Sequence, residues 1–122
     1  MKWKVCGMRE AKNISEVAAL QPDYMGFILW DGSKRHCPNP QQVPEGITKV
    51  GVFVYATVAE IEDAIEDYKL GAVPLHGNES PGLCRELQRQ VQVLKAFGVV
   101  AGFAFYTLLD YLPYFYFFLF YT

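Results

Sequence analysis

The thiol of Cys6 is the side chain whose type and position most favour chemistry in this sequence. The stretch WKVCGMR has the pattern of a short strand that ends at Cys6, and Gly7 then allows a sharp turn of the backbone. Open α/β sheets and barrels place their active sites at the carboxyl ends of their strands. The alternative is a small buried core thiol, because free cysteine is among the most buried residue types.

Helix and strand patterns alternate along the chain. Besides the stretch that ends at Cys6, the predicted strands cover residues 23–29, 48–54, 72–75, 91–96 and 115–120. The predicted helices cover residues 14–20, with Asn13 as N-cap, and residues 57–68, 81–90 and 101–112. In the second of these helices, Thr57 and Glu60 have the spacing of a capping box. Such alternation predicts a parallel sheet with right-handed crossovers, which would bring the strand ends together around Cys6.

Composition narrows the classes of protein that fit. A chain of 122 residues is long enough for a single domain with its own core, and a net charge of −2 gives no electrostatic case for nucleic acid. The three cysteines (Cys6, Cys37 and Cys84) form no CxxC pair and no metal-ligand spacing, which favours a reducing, cytoplasmic compartment. The start, MKWKVCGMREAKN, lacks the apolar segment of a signal peptide.

Five stretches, in this order and spacing, resemble phosphoribosylanthranilate isomerase. They are KVCGMR, DYMGFILWDGSKRH, KVGVFVYAT, AVPLHGNESPGLCREL and VQVLKAFGV, and together they span about residues 2–99. The resemblance implies an α/β fold of the (βα)₈ TIM-barrel type. Residues 1–122 would then be a single, incomplete barrel domain of about five βα units plus a sixth strand.

The resemblance also implies an activity. Members of this family carry out a step of tryptophan biosynthesis, the Amadori rearrangement of N-(5′-phosphoribosyl)anthranilate to the carboxyphenylamino-deoxyribulose phosphate, without cofactor or metal. A general acid protonates the ring oxygen of the sugar, and a general base removes the C2′ proton. The partner would thus be a small phosphorylated substrate, with neither nucleic acid nor membrane expected, and the oligomeric state stays open.

Residue by residue, the resemblance makes Cys6 the general base, Arg35 a substrate contact and His76 a residue that lines the pocket. From sequence alone, Arg35 could equally be a solvated loop charge, and a lone histidine at a strand end is more often a packed or hydrogen-bonded residue. Asn78 and Glu79 are expected to cap the following helix rather than to touch substrate.

The chain departs from the family pattern at four positions. Tyr121, in LFYT, stands where the family has the aspartate that acts as general acid, and Pro74 stands where the family has a glutamine. Tyr55 replaces a small polar residue, and Gly71 replaces what is usually an aspartate. A phenol is a far weaker acid than a carboxyl group, so Tyr121 is a doubtful general acid. The alternative function is therefore a catalytically impaired or truncated barrel remnant.

The end of the chain differs in composition from the rest. From residue 96 to residue 122 the one charged side chain is Asp110, and residues 98–114 are almost entirely apolar. This gives a third and weaker alternative, a membrane-associated protein, although Asp110 and Pro113 interrupt the apolar run. The family's phosphate-binding loops follow strands seven and eight, and so would lie beyond residue 122 in an incompletely recorded chain.

Overall fold

In a computed structural model of the chain, residues 2–75, 80–98 and 118–121 are described. Among them are six strands and three helices, and a helix follows the first, the third and the fourth strand. The strands are β1 (Lys4–Val5), β2 (Tyr24–Ile28), β3 (Thr48–Val52), β4 (Ala72–Leu75), β5 (Gln92–Gly98) and β6 (Phe118–Tyr121). The helices are α1 (Ala11–Ala18), α2 (Val58–Tyr68) and α3 (Pro81–Gln88). The chain divides into two compact units, Met1–Ala72 and Val73–Thr122.

The first unit contains a parallel sheet in which β1 pairs with β2 and β2 pairs with β3. The register places Val5 beside Met25 and Gly26 beside Val50. Val50 in turn pairs with Ala72, the last residue of this unit. Since successive strands are neighbours and all run in the same direction, their carboxyl ends lie at one edge of the sheet. The parallel sheet predicted from the alternating pattern is confirmed.

All five residues of β2 are buried, as predicted for a strand covered on both faces. One face packs against α1 and the segments beside it. The buried cluster consists of Met8, Ile14, Ala18, Met25, Phe27 and Cys37. This packing fixes β2 as the strand against which the ends of β1 and β3 are aligned.

Helix α2 begins as its sequence predicts. The hydroxyl of Thr57 accepts a hydrogen bond from the backbone N–H of Glu60 at 3.2 Å, and the carboxylate of Glu60 accepts one from the backbone N–H of Thr57 at 2.7 Å. These two bonds satisfy amide groups that have no partner within the helix. The predicted capping box is confirmed, and the helix ends at Tyr68 with Lys69 in a left-handed conformation.

Helix α1 begins one turn earlier than predicted. Its first residue is Ala11, so the predicted N-cap, Asn13, lies inside the helix, and Glu10 takes the cap position without a side-chain hydrogen bond. The first turn closes with a bond from the N–H of Ile14 to the carbonyl of Glu10 at 2.9 Å. Burial of Ile14 and Ala18 holds this helix in place, and this tertiary packing outweighs the local preference of an asparagine for the cap.

In the second unit, β5 and β6 pair in parallel, with Gly98 beside Tyr121. Helix α3 is capped by Ser80, whose hydroxyl accepts a hydrogen bond from the N–H of Leu83 at 3.2 Å, with a proline in the first turn. The N-cap is therefore Ser80, and Asn78 and Glu79, the residues expected to cap this helix, lie outside the described residues. A proline is well suited to the first turn of a helix, so the cap falls on the residue just before Pro81.

Three predicted elements of this unit are shifted or untested. Strand β5 runs two residues further than predicted and β6 starts three residues later. The helix predicted at residues 101–112 lies outside the described residues. Among the helices that the structure describes, none is long and apolar enough to cross a membrane. The apolar run that suggested membrane association lies, apart from Gly98, outside the described residues.

Candidate active site

Cys6 directly follows β1, and its thiol lies against the backbone of Gly26 in β2. A Cβ atom placed on Gly26 would stand 2.8 Å from the Sγ of Cys6. The carbonyl of Gly26 also accepts hydrogen bonds from the N–H groups of Gly7, at 3.0 Å, and Met8, at 3.1 Å. These contacts fix the turn after Cys6 onto the neighbouring strand. A glycine inside a strand often marks such a close approach, and this is the signal in DYMGFIL that points to Gly26.

Burial separates Cys6 from the other two cysteines. Cys37 and Cys84 are completely buried, whereas Cys6 is partly exposed at the end of its strand. Burial raises the pKa of the Cys37 thiol, whose Sγ donates a hydrogen bond to the carbonyl of Asn39 at 3.2 Å. The description of a buried core thiol therefore fits Cys37 and Cys84, and Cys6 is the cysteine that solvent reaches.

The structure brings Arg35 to the residue next to Cys6. The backbone of Gly7 has a φ angle of +82°, and a Cβ atom there would stand 2.8 Å from Nη1 and 3.0 Å from Cδ of Arg35. The guanidinium group thus lies over Gly7, in space that any other residue would fill with its own side chain. The backbone N–H of Arg35 donates a hydrogen bond to the hydroxyl of Ser33 at 3.1 Å. Arg35 itself is exposed, as an anion-binding side chain would be.

A second arginine links the same two loops. Nη1 of Arg9, in the loop after β1, donates a hydrogen bond to the carbonyl of Lys34 at 3.0 Å. Nε of Arg9 lies 4.0 Å from a carboxylate oxygen of Glu10, with both side chains largely exposed. An exposed ion pair of this length contributes little stability. The hydrogen bond from Arg9 to the Lys34 carbonyl joins the two loops, and no pattern in the sequence indicates it.

Side-chain hydrogen bonds link β3, α2 and the segment at Cys37, which follows the loop that carries Arg35. The hydroxyl of Tyr68 donates to the carbonyl of Cys37 at 3.0 Å, and Nζ of Lys49 donates to the carbonyl of Tyr68 at 3.0 Å. Burial lowers the pKa of Lys49, and the nearby charge of Lys69 lowers it further. Burial also raises the pKa of Tyr68. This network holds the segment at Cys37, which follows the loop that carries Arg35.

A separate cavity of about 410 Å³ opens beside the carboxyl ends of β2 and β3. Trp30, His36, Tyr55 and Tyr68 are among the residues that line it, whereas Cys6 and Arg35 are not. Tyr55 is 97% exposed and has a left-handed backbone, with φ of 55°. This departure from the family pattern therefore places an aromatic ring in solvent rather than in the core.

The other departures have different surroundings. A Cβ atom on Gly71 would stand 2.7 Å from Cγ2 of Thr48, and the N–H of Gly71 donates to the carbonyl of Lys49 at 2.9 Å. An aspartate at this position would therefore require Thr48 to move. Pro74 lies in β4, all four residues of which are buried.

Two of the predicted site residues are less fully placed. His76, together with Asn78 and Glu79, lies outside the described residues. Tyr121 is the last residue of β6, which puts its backbone at the carboxyl end of a strand. The structure therefore places the Arg35 side chain over Gly7, the residue that follows Cys6, and the Cys6 thiol against Gly26. It also shows a hydrogen bond from Arg9 to the carbonyl of Lys34, the residue before Arg35.

Known proteins are similar to this chain in both sequence and fold. A family model described as N-(5′-phosphoribosyl)anthranilate (PRA) isomerase matches residues 3–110. The N-(5′-phosphoribosyl)anthranilate isomerase of Parabacteroides distasonis is 46% identical over 104 residues, which are 79% of this chain and 47% of that protein. That of Trichormus variabilis is 35% identical over 108 residues, 81% of this chain and 51% of that protein. The chain thus spans about half the length of the curated relatives it matches.

Two solved structures match the fold. The phosphoribosyl anthranilate isomerase of Thermotoga maritima has a TM-score of 0.73 and 31% identity, covering 81% of this chain and 51% of that one. A phosphoribosyl anthranilate isomerase in complex with reduced 1-(o-carboxyphenylamino)-1-deoxyribulose 5-phosphate has a TM-score of 0.77 and 26% identity, covering 98% of this chain and 74% of that one. These relatives are TIM-barrel proteins, so the predicted fold class, part of a (βα)₈ barrel, is confirmed. The match to the family model over most of its length shows that this chain belongs to the N-(5′-phosphoribosyl)anthranilate isomerase family.

Proposed function

We propose that this protein is a cytoplasmic isomerase of tryptophan biosynthesis, which converts N-(5′-phosphoribosyl)anthranilate to the carboxyphenylamino-deoxyribulose phosphate. The observation that carries the proposal is the pairing at the end of β1, where a partly exposed thiol, Cys6, is followed by a glycine over which the Arg35 guanidinium lies. This places a candidate base beside a candidate anion-binding group. The solved relative that holds a phosphorylated ligand with a carboxyphenyl group supports the same class of substrate.

In the proposed mechanism, Cys6 is the general base. Once the sugar ring has opened to a Schiff base, the C2′ proton is acidic because the adjacent C=N group withdraws electrons. The Cys6 thiolate removes that proton to give an enolamine, which relaxes to the ketone. Proton transfers by a positioned side chain are typically worth about 10² to 10⁴ in rate. The rearrangement oxidises C2′ and reduces C1′ within the same molecule, so its balance needs no external oxidant or reductant.

Arg35 is the proposed contact for an anionic group of the substrate. A guanidinium presents donors in a planar fork that matches a carboxylate with two parallel hydrogen bonds. The substrate carries a carboxylate on its aromatic ring and a phosphate on its sugar. Since the Arg35 guanidinium lies over Gly7, the residue that follows the proposed base, it suits a group close to the reacting carbon rather than a distant one. His76 is the proposed further residue of the pocket wall.

The general-acid position of this chain holds a phenol, Tyr121, in place of a carboxyl group. Tyr121, at the end of β6, occupies the position of the family's aspartate. A phenol starts about six pK units weaker as an acid than an aspartate does, so protonation of the ring oxygen would be slow. This one substitution favours a second candidate function, a barrel that keeps the fold and the base but has lost most of its activity.

The test is turnover of N-(5′-phosphoribosyl)anthranilate by the full protein encoded by the gene, followed through the loss of anthranilate-type fluorescence. We expect Cys6→Ser to remove nearly all turnover and to leave the circular dichroism spectrum unchanged. Cys37→Ser is the matched control, because a hydroxyl can still donate to the carbonyl of Asn39, and we expect it to keep normal turnover. If the Cys6→Ser protein kept more than roughly a tenth of the activity, the base would be another group.

A further inference from the structure

We propose that Arg9 is a positioning residue that holds Arg35 over Gly7 for the anionic group of the substrate. This inference deepens the proposed function and rests on it for the identity of the substrate. The observation behind it is a crossing of two arginines between the loops after β1 and β2. Arg9 reaches from the first loop to the backbone carbonyl of Lys34, and the next residue, Arg35, reaches back over Gly7 of the first loop.

The loop that carries Arg35 is held at both of its ends. At one end, the N–H of Ser33 donates to the carbonyl of Trp30 at 3.2 Å. At the other end, the N–H of Cys37 donates to the carbonyl of Ile28 at 2.8 Å, and the Tyr68 hydroxyl donates to the carbonyl of Cys37. The Lys34 carbonyl lies between these two anchors. The bond from Arg9 therefore fixes the middle of the loop, one peptide away from the Arg35 side chain.

The charges in these loops oppose this arrangement. Arg9, Lys34 and Arg35 place three cations in two adjacent loops, and all three are exposed. Like charges this close repel each other, and a long arginine side chain loses rotamer entropy when it is ordered. The hydrogen bond from Arg9 to the Lys34 carbonyl holds the two loops together against this repulsion. Without Arg9, the Lys34–Arg35 peptide would lose a hydrogen bond, and the Arg35 guanidinium would sample positions away from Gly7.

A direct role for Arg9 as a second cation for the substrate makes a different prediction. A positioning residue acts through Arg35, so its removal matters only while Arg35 is present. A second cation acts on the ligand by itself, so its removal matters in either background. A double-mutant cycle separates the two roles.

The experiment measures binding and mobility in the full protein. The probe is reduced 1-(o-carboxyphenylamino)-1-deoxyribulose 5-phosphate, the ligand of the solved relative, titrated by calorimetry. We expect Arg9→Ala to raise its dissociation constant about 3- to 10-fold, the size of one hydrogen bond, and to raise KM more than it lowers kcat. In an Arg35→Ala background, we expect Arg9→Ala to change the constant less than about 2-fold. Lys12→Ala, which removes the same charge from an exposed position on α1, is the control and should have no effect.

Equal factors in both backgrounds, or no effect of Arg9→Ala on binding, would overturn the positioning role. A second measurement does not depend on the ligand. In the free protein, ¹⁵N relaxation of the Arg35 Nε–H should report greater mobility in Arg9→Ala than in the starting protein, and unchanged mobility would overturn the proposal. If the starting protein neither bound nor converted its ligand, the proposed function would fail, while this relaxation measurement would still decide whether Arg9 orders Arg35.

Discussion

The Sγ of Cys6 occupies the space beside Gly26 that a side chain at that position would need, because a Cβ on Gly26 would stand 2.8 Å from it. The same Cβ would also lie 3.3 Å from both Cα and Cβ of Cys6. The contact therefore involves the backbone of the proposed base as well as its thiol. The absence of a side chain at Gly26 leaves the space that the Cys6 thiol occupies.

Gly26→Ala should therefore displace Cys6 and lower turnover strongly, by at least about 10-fold, because a small misplacement of a catalytic group costs much of the rate. The added methyl group should also cost about 1–3 kcal/mol of stability, as overpacking of a buried site does. Turnover and thermal melting measure the two effects. The matched control is Gly82→Ala in α3, where the nearest atom to the new Cβ is the Ser80 hydroxyl at 3.8 Å. Normal turnover in Gly26→Ala would show that the position of Cys6 is not critical.

Tyr68→Phe should lower the free energy of unfolding by about 0.5–1.5 kcal/mol, because the Cys37 carbonyl loses the hydrogen bond donated by the phenol. Denaturant titration measures the change. Tyr55→Phe removes the same hydroxyl from a side chain that is 97% exposed, and should change stability by less than about 0.5 kcal/mol. Equal effects of the two variants would mean that the bond from Tyr68 contributes nothing.

The capping box of α2 should make stability depend on pH. The hydrogen bond from the Thr57 N–H, and secondarily that from its side chain, lowers the pKa of Glu60 below its ordinary value. A carboxyl group whose pKa is lower in the folded state stabilises the protein above its unfolded pKa, and this contribution is lost as the pH falls through the folded pKa. Glu60→Gln keeps an acceptor but no charge, so its melting temperature should fall below that of the starting protein at pH 6. The difference should shrink as the pH is lowered through about 4 and below. A difference that stays constant over this range would contradict the assignment.

Tyr121→Asp should raise kcat/KM by about 10² or more, because it restores a carboxyl group at the proposed acid position. Tyr121→Phe, which removes only the hydroxyl and restores no carboxyl group, is the control and should not raise kcat/KM. Steady-state kinetics of the three proteins measure the effect. If the Tyr121 protein already turned over at an ordinary enzyme rate, about 1 to 10³ per second, the acid would lie elsewhere.

Sequence by itself determined the features whose causes are local. The bounds of β4 were correctly predicted, and so was the start of α2, because a capping box acts between residues three apart along the chain. The burial of β2 followed from its run of apolar residues. The resemblance of five ordered stretches was enough to predict the family and the barrel fold, which the family model and the solved relatives then confirmed.

Only the tertiary structure decided the features that join distant parts of the chain. Helix α1 begins at Ala11 because its buried face, rather than its cap residue, positions it. The glycine in DYMGFIL indicates that some group approaches β2 closely, but the sequence does not indicate that this group is the thiol of Cys6. The crossing joins Arg9 to Lys34, 25 residues apart in the chain, and Arg35 to Gly7. The two loops meet because β1 and β2 are neighbours in the sheet. Such contacts depend on atomic positions in three dimensions, and a sequence pattern records only which residue types are present and how far apart they lie.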